Sequence, residues 1–170
     1  DYNFMTIESL SDSIGFNLSK KYILITYHPA TLENISCKES FANLLKSLES
    51  FSDYKLLFTY PNADASGRII ISKINEFVMN YPNVKAYKSL GRTLYFSLLN
   101  YCDLVVGNSS SGMVETQSFK LPVVNIGNRQ KGRKVTENII HSSGGKKSNL
   151  SSIKKGLSKE FRDSINNMDN

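Results

Sequence analysis

The stretch VVGNSSSGMVETQSFKLPVVNIGNRQKGR, from Val105 to Arg133, contains two short apolar segments separated by small polar residues and one glutamate. Runs such as VV and PVVNIG, bounded by glycine and polar residues, are typical of buried β-strands. The segment between them, SGMVETQSF, has the apolar spacing of a helix, and Asn108 or a serine is placed to cap its N-terminus. The stretch therefore predicts a strand, a helix and a second strand, followed by a loop rich in positive charge.

The same alternation extends along the whole chain. Short apolar segments rich in β-branched or aromatic residues are predicted to be strands: Lys21 to Tyr27, Lys55 to Tyr60, Asn83 to Tyr87, Asp103 to Gly107 and Pro122 to Gly127. Segments with helical spacing of apolar residues are Glu39 to Phe51, Ser66 to Tyr81, Thr93 to Cys102, Ser111 to Phe119 and about Ser148 to Ile165. Such alternation predicts a parallel sheet covered by helices on both faces, in a single three-layer α/β domain over residues 1–170.

The composition is that of a globular chain with a positive net charge. The 170 residues are 40% hydrophobic, enough for one sizeable core, and 21 Lys and Arg against 15 Asp and Glu give a net charge of +6. No run approaches the roughly 18 apolar residues of a membrane span, and the first residues do not resemble a signal peptide, so a soluble, cytoplasmic protein is expected. Cys37 and Cys102 lie in no CxxC motif, which favours buried thiols over a metal site.

The positive charge is densest in one loop. Arg129, Lys131, Arg133 and Lys134 lie close together beside glycines, whereas the basic residues of the C-terminal segment are mixed with acidic ones. A mixed segment is typical of a solvated helix face and argues against a basic stripe for nucleic acid. The cluster in the loop is the better candidate for contact with a small anionic ligand.

Loops that follow predicted strands carry the other candidate residues. In a parallel α/β sheet, ligands bind beyond the carboxyl ends of the strands, where these loops converge. His28 directly follows the first strand, and Pro29 excludes helix after it, so His28 is either a structural residue or a functional one at this edge. His141 follows an apolar run without supporting polar residues and is interpreted as structural or surface.

The serine-rich loop and the basic loop favour a nucleotide diphosphate. Backbone amides and hydroxyls at the start of the helix after Gly107 suit a phosphate, although N-capping alone would also explain serines there. Glu115, about one turn further, could accept hydrogen bonds from a ribose diol or could offset the helix dipole. Arg129 could reach the same anion from the next loop. No GxGxxG or GxxxxGK[ST] motif occurs, so neither a dinucleotide oxidoreductase nor a P-loop NTPase is supported.

Three motifs, TYHPATLEN, GNSSSGMVE and NIGNRQKGR, occur in an order and spacing that resembles the UDP-N-acetylglucosamine 2-epimerase family. The similarity runs from about Tyr22 to Ile140 and is closer to the hydrolysing branch, which makes N-acetylmannosamine-type precursors of sialic and related acids. The resemblance implies a two-domain fold of the glycosyltransferase-B type, with UDP-sugar bound between two Rossmann-like halves. This chain resembles only the C-terminal half. The expected partners are a UDP-sugar, the N-terminal half and further copies of the full-length enzyme, with no cofactor, metal, nucleic acid or membrane.

The resemblance assigns nucleotide contacts to particular residues. Ser109 and Ser110 match the serines that hold the β-phosphate, and Glu115 matches the carboxylate on the ribose hydroxyls. Arg129 matches an arginine that lies near the nucleotide.

The resemblance also implies a catalytic residue and a base site. His28 matches a histidine that faces the sugar phosphate and is implicated in catalysis. The stretch YKSLGRTLYF lies where the family holds uracil, with backbone groups near Leu90 and a ring at Tyr95. The implied reaction is anti elimination of UDP to a glycal, followed by addition of water with inversion at C2. The carboxylates that would remove the C2 proton belong to the family's N-terminal half, so this chain alone is expected to be inactive. A glycosyltransferase of the same fold and a non-hydrolysing 2-epimerase remain open as alternatives.

Overall fold

The computed structural model describes residues 2–19, 21–29, 36–127 and 135–167, with only the backbone at residues 111 and 112. The described strands are β1 (Tyr22–Thr26), β2 (Lys55–Thr59), β3 (Val84–Tyr87), β4 (Leu104–Gly107), β5 (Val123–Ile126) and β6 (Ile139–Ser142). The described helices are α1 (Ile7–Ile14), α2 (Cys37–Leu48), α3 (Ala65–Asn80), α4 (Gly91–Tyr101), α5 (Ser110–Val114), α6 (Lys146–Leu157) and α7 (Lys159–Asn166).

The six strands form one parallel sheet in the order β3-β2-β1-β4-β5-β6. This is the strand order of a Rossmann fold, so the predicted fold class is confirmed. Thr26, the last residue of the central strand β1, pairs with Thr59 on one side and with Gly107 on the other. The order of the strands reverses between β1 and β4, and a ligand crevice is expected at that switch point.

Each face of the sheet has its own buried core, because successive side chains of a strand point to opposite faces. Ile23 and Ile25 of β1 pack on one face with residues of α2, α3 and α6, such as Phe41 and Ile74. Leu24 packs on the other face with residues of α1 and α4. Full burial of an aliphatic or aromatic side chain contributes roughly 1.5–3 kcal/mol, so both faces stabilise the central strand.

Two described elements, α1 and β6, were not predicted from the sequence. Helix α1 is short, but Thr6 caps its start by accepting a hydrogen bond from Ser9 N, and Gly15 ends it at φ 64°. Strand β6 has only two consecutive apolar residues, Ile139 and Ile140, before His141 and Ser142, and its pairing with β5 creates it.

Two predicted helices differ from the structure. The helix predicted over Ser111 to Phe119 ends at Val114 and passes into turns that include Lys120 at φ 48°. The helix predicted over about Ser148 to Ile165 is divided at Ser158, which has an extended backbone. The hydroxyl of Ser158 accepts a hydrogen bond from Phe161 N and so starts α7.

Cys102 is a buried thiol, as the sequence predicted, whereas Cys37 is half-buried. The Cys102 Sγ lies 3.0 Å from the carbonyl oxygen of Leu104, and burial raises the pKa of the thiol to about 12. No helix in the described ranges is long and apolar enough to cross a bilayer.

Candidate functional site

A cleft of about 480 Å³ lies at the carboxyl edge of the sheet. Residues at the ends of β1 and β2, the start of α4, and the loop after β4 form its walls, which places it beside the switch point. The predicted site residues that line it are His28, Leu90, Tyr95, Ser109 and Glu115. The structure therefore brings together residues that are far apart in the chain.

The two predicted site residues that remain are Ser110 and Arg129. Ser110 is the first residue of α5 and directly follows Ser109, although it does not line the cleft. Arg129 lies outside the described residues, together with the basic cluster around it. Because α5 has only five residues, fewer aligned peptide dipoles point at the serines than the longer predicted helix would supply.

The backbone of His28 is held by the side chain of Asn108. His28 N donates to Asn108 Oδ1 at 2.7 Å, and Asn108 Nδ2 donates to the carbonyl oxygen of His28 at 2.8 Å. Asn108 is fully buried, and its own N–H donates to the carbonyl oxygen of Thr26. The sequence indicated only a capping role for Asn108 or a serine, and these two bonds to His28 were not predicted.

Gly107 makes this approach of β4 to β1 possible. Its φ is 142°, and a Cβ at this position would lie 1.8 Å from the carbonyl oxygen of Thr26. Such a distance is far below van der Waals contact, so a side chain would force the two strands apart. The loop after β4 therefore starts close to His28 because residue 107 is glycine.

Glu115 presents a carboxylate to the cleft. Its Oε2 is buried and has no hydrogen-bond partner within the described part of the chain. Desolvation raises the pKa of Glu115, and the positive charge of Arg92 lowers it by a smaller amount. A buried oxygen without a partner costs free energy, which a ligand hydroxyl that donates to it would recover.

Arg92 is a cleft residue that sequence reasoning missed. Its guanidinium carbon lies 5.2 Å from the centre of the Phe96 ring, and both residues line the cleft beside Tyr95. The preceding Gly91 has φ 70° and begins α4, which turns the chain at the cleft wall. A glycine and an arginine between a strand and a helix were the only signal in the sequence.

The remaining polar candidates do not add a metal site. In the described ranges, no group of three or more His, Cys, Asp or Glu side chains could hold a metal ion. His141 lies on β6, is exposed, and its Nδ1 is 3.2 Å from Asn125 Nδ2. It does not line the cleft.

The fold and the cleft define a Rossmann-like α/β domain of the type found as the C-terminal half of glycosyltransferase-B-type enzymes. The chain matches the model of the family described as UDP-N-acetylglucosamine 2-epimerase over residues 3–170. It therefore belongs to that family, as the sequence motifs indicated.

Curated relatives are considerably longer than this chain. A Campylobacter jejuni protein, GDP/UDP-N,N'-diacetylbacillosamine 2-epimerase (hydrolyzing), is 40% identical over 145 residues, which are 82% of this chain and 37% of the relative. The UDP-N,N'-diacetylbacillosamine 2-epimerase (hydrolyzing) of Legionella pneumophila is 34% identical over 139 residues, 82% of this chain and 36% of the relative. The chain thus spans little more than a third of these proteins.

Solved structures show the same fold at low sequence identity. The crystal structure of UDP-GlcNAc 2-epimerase from Neisseria meningitidis bound to UDP-GlcNAc superposes with a TM-score of 0.70 at 10% identity. The match covers 96% of this chain and 43% of that one. At this identity the likeness establishes the architecture alone.

Proposed function

We propose that residues 1–170 are the UDP-binding domain of a two-domain, hydrolysing UDP-sugar 2-epimerase. The enzyme would convert a UDP-linked 2-acetamido sugar, such as UDP-N-acetylglucosamine, and water into the free 2-epimer and UDP. The observation that carries the proposal is the convergence of His28, Ser109 and Glu115 on one cleft at the switch point of the sheet. Family membership and two relatives described as hydrolysing support it.

In this proposal the nucleotide lies along the cleft from its phosphates to its base. Ser109 and Ser110 hold the β-phosphate through hydroxyl and backbone donors. The Glu115 carboxylate accepts hydrogen bonds from the ribose hydroxyls, for which its buried Oε2 is available. The uracil lies at the wall near Leu90 and Tyr95. Arg129 contributes positive charge near the phosphates.

The proposed role of this domain in the reaction is to stabilise the leaving group. A base on the second domain removes the C2 proton, the electron pair forms the C1–C2 double bond, and the C1–O bond breaks to release UDP. Water then adds at C1 and a proton adds at C2 from the opposite face. Donors to the β-phosphate act most strongly as the C1–O bond breaks, because negative charge grows on that oxygen. His28 donates a hydrogen bond or a proton to the same oxygen.

Calorimetry with UDP and 2′-deoxy-UDP tests the central contact. We expect Glu115→Ala to weaken UDP binding roughly tenfold or more, because charge-assisted hydrogen bonds contribute about 1.5–3 kcal/mol each. The same substitution should weaken 2′-deoxy-UDP binding much less. Removing the carboxylate and removing the hydroxyl delete partly the same interaction, so the two effects should not add.

Glu39→Ala is the matched control for this cycle. Glu39 is an acid in the first turn of α2, where its interaction is with the helix dipole. It should leave both affinities unchanged. Coupling near zero between the two changes in the Glu115 cycle, together with a fall in thermal stability, would leave Glu115 as a structural residue and remove the ribose contact from the proposal.

Product analysis distinguishes the proposed reaction from its alternatives. An enzyme that contains this chain and the second domain should release UDP and the free 2-epimer from UDP-N-acetylglucosamine without an acceptor. Retention of UDP on the epimer would indicate a non-hydrolysing epimerase, and UDP release only with an acceptor would indicate a glycosyltransferase.

We further propose that the enzyme is homo-oligomeric, acts in the cytoplasm and supplies precursors of sialic-type acids, as the resemblance implies.

A further inference from the structure

One side chain, that of Asn108, binds both the backbone N–H and the backbone carbonyl of His28. Asn108 accepts from His28 N at 2.7 Å and donates to His28 O at 2.8 Å. The backbone pairing of β1 with β4 ends at Thr26 and Gly107, and the N–H of Asn108 still donates to the Thr26 carbonyl. The Asn108 amide therefore continues the pattern of the sheet by one more residue, with side-chain atoms in place of backbone atoms.

The residue types at this junction suit that arrangement. An asparagine side chain carries both a donor and an acceptor on one planar group, so it can pair with a peptide N–H and C=O together. Aspartate lacks the donor. Gly107 allows the close approach, since any Cβ there would clash with the Thr26 carbonyl. Pro29 restricts the backbone of His28 from the other side.

The position of Asn108 in the chain connects two parts of the cleft. Asn108 directly precedes Ser109, which lines the cleft, and its amide holds His28, which lines the same cleft. The loops after β1 and β4 are thereby joined across the switch point. A fixed distance between a phosphate-binding group and a proton donor matters because small displacements of reacting groups reduce rates strongly.

We propose that Asn108 is a positioning residue, which sets the place of His28 relative to the serine loop through these two hydrogen bonds. This inference rests on the proposed function for the meaning of the cleft, but the positioning itself is a property of the free chain. Asn108 does not touch the ligand in this proposal and acts only through His28 and Ser109.

The imidazole signals of the chain provide a direct test, because it has only two histidines. Carbon–proton correlation spectra of the wild-type chain, Asn108→Ala and Asn108→Asp are recorded with and without UDP, with His141→Gln used to assign the signals. In Asn108→Ala without UDP, we expect the His28 signal to move toward its position in an unfolded chain. Its shift on addition of UDP should shrink, and UDP affinity should fall roughly tenfold. Asn108→Asp, which keeps the acceptor only, should give intermediate changes.

Asn149→Ala is the matched control. Asn149 is also fully buried and makes two side-chain hydrogen bonds, one from Ser142 Oγ at 2.6 Å and one to Gly144 O at 3.4 Å, beside the edge strand β6 and outside the cleft. It should lower thermal stability as Asn108→Ala does while leaving the His28 signal and its response to UDP unchanged. Equal His28 changes in both variants, or none in Asn108→Ala, would overturn the proposal.

Two further observations keep the outcomes separate. If Asn108→Ala does not fold, amide exchange in the wild-type chain decides: slow exchange of the His28 N–H supports the hydrogen bond to Asn108, and exchange as fast as in an exposed loop overturns it. If UDP moves no signal of the wild-type chain, the proposed nucleotide function fails. The comparison of His28 between the free proteins still tests the positioning role.

Discussion

At Glu115, burial and a neighbouring cation act in opposite directions on one carboxyl group. Desolvation raises its pKa above the ordinary value of 4.5, and Arg92 offsets part of this rise. The charged form is the better acceptor for ribose hydroxyls. The free chain therefore holds this carboxylate in an environment that ligand hydroxyls would improve, which is a common property of functional sites.

We expect UDP binding to depend on the charge of Glu115. As the pH falls below neutral, Glu115 takes up its proton at a higher pH than an exposed glutamate does, because burial raises its pKa, and the affinity for UDP falls. Calorimetry across this range, with Glu115→Gln as the reference, removes the effect of phosphate ionisation. A constant ratio of the two affinities at every pH would contradict the expectation.

The raised pKa of Glu115 changes stability with pH in the opposite direction to UDP affinity. Between the ordinary and the raised pKa, the folded chain binds more protons at this site than the unfolded chain. The contribution of Glu115 to the free energy of unfolding therefore falls as the pH rises through that window. The urea midpoint of the wild type, relative to that of Glu115→Gln, should therefore fall as the pH rises through this window.

His28 is expected to act on the rate more than on binding. In an enzyme that contains this chain, His28→Asn should lower kcat by about 10²–10⁴-fold, the usual contribution of a proton donor, and change UDP affinity little. Steady-state kinetics and calorimetry on the same preparation measure both. His141→Asn is the control, because His141 is exposed and outside the cleft. Near-normal turnover of His28→Asn would return His28 to a structural role.

At the scale of elements, the junction of β1 and β4 has the least tolerance for change. We expect Gly107→Ala to lower the free energy of unfolding by about 1–3 kcal/mol or more, because its Cβ would overlap the Thr26 carbonyl oxygen. Gly91→Ala is the matched control: its φ is also positive, but beyond its own helix and chain neighbours no atom of the described residues lies within 4 Å of the added carbon. Urea unfolding should show the smaller loss for Gly91→Ala. Equal losses would mean that backbone conformation, and not the clash, determines the cost.

The sequence predicted the elements that have a clear period or a long apolar run. Strands β1, β2, β4 and β5 were found because their apolar residues are buried on both faces, β3 because it is rich in β-branched and aromatic residues, and α3 because its pattern repeats over several turns. The end of α5 and the division at Ser158 were missed, since turn geometry and a local serine cap decide them without changing the apolar period.

The site was predicted in part for a similar reason. Residue type and position after a strand were enough to place His28, the serine-rich loop and Glu115 at one edge of the sheet, because the topology of a parallel sheet brings strand ends together. The family resemblance, and not the residue pattern, selected Ser109. The pairing of Asn108 with His28 could not be predicted, since it depends on the register of β1 against β4. The position of Arg92 in the cleft could not be predicted either, because it depends on where α4 begins at the cleft wall.

At the scale of the whole molecule, the two cores share one sheet. We expect the chain to unfold in a single transition. Ile25→Ala and Leu24→Ala should each lower the free energy of unfolding by about 2–5 kcal/mol, although the two side chains lie on opposite faces of the sheet. Thermal unfolding followed by circular dichroism and by calorimetry tests this. Two separate transitions, each sensitive to one substitution, would contradict a single cooperative unit.

The hydrogen bonds between His28 and Asn108 join residues 80 positions apart in the chain. On a ribosome, β1 is made long before β4, so the histidine is exposed for some time without the side chain that holds it. Closure of so long a loop is entropically costly and belongs to the late stages of assembly. In the proposed function, UDP binds only after that closure, because the cleft includes residues from both loops. We therefore expect UDP to slow unfolding of the folded chain without speeding its folding, because the ligand stabilises the native state and not the states that precede it.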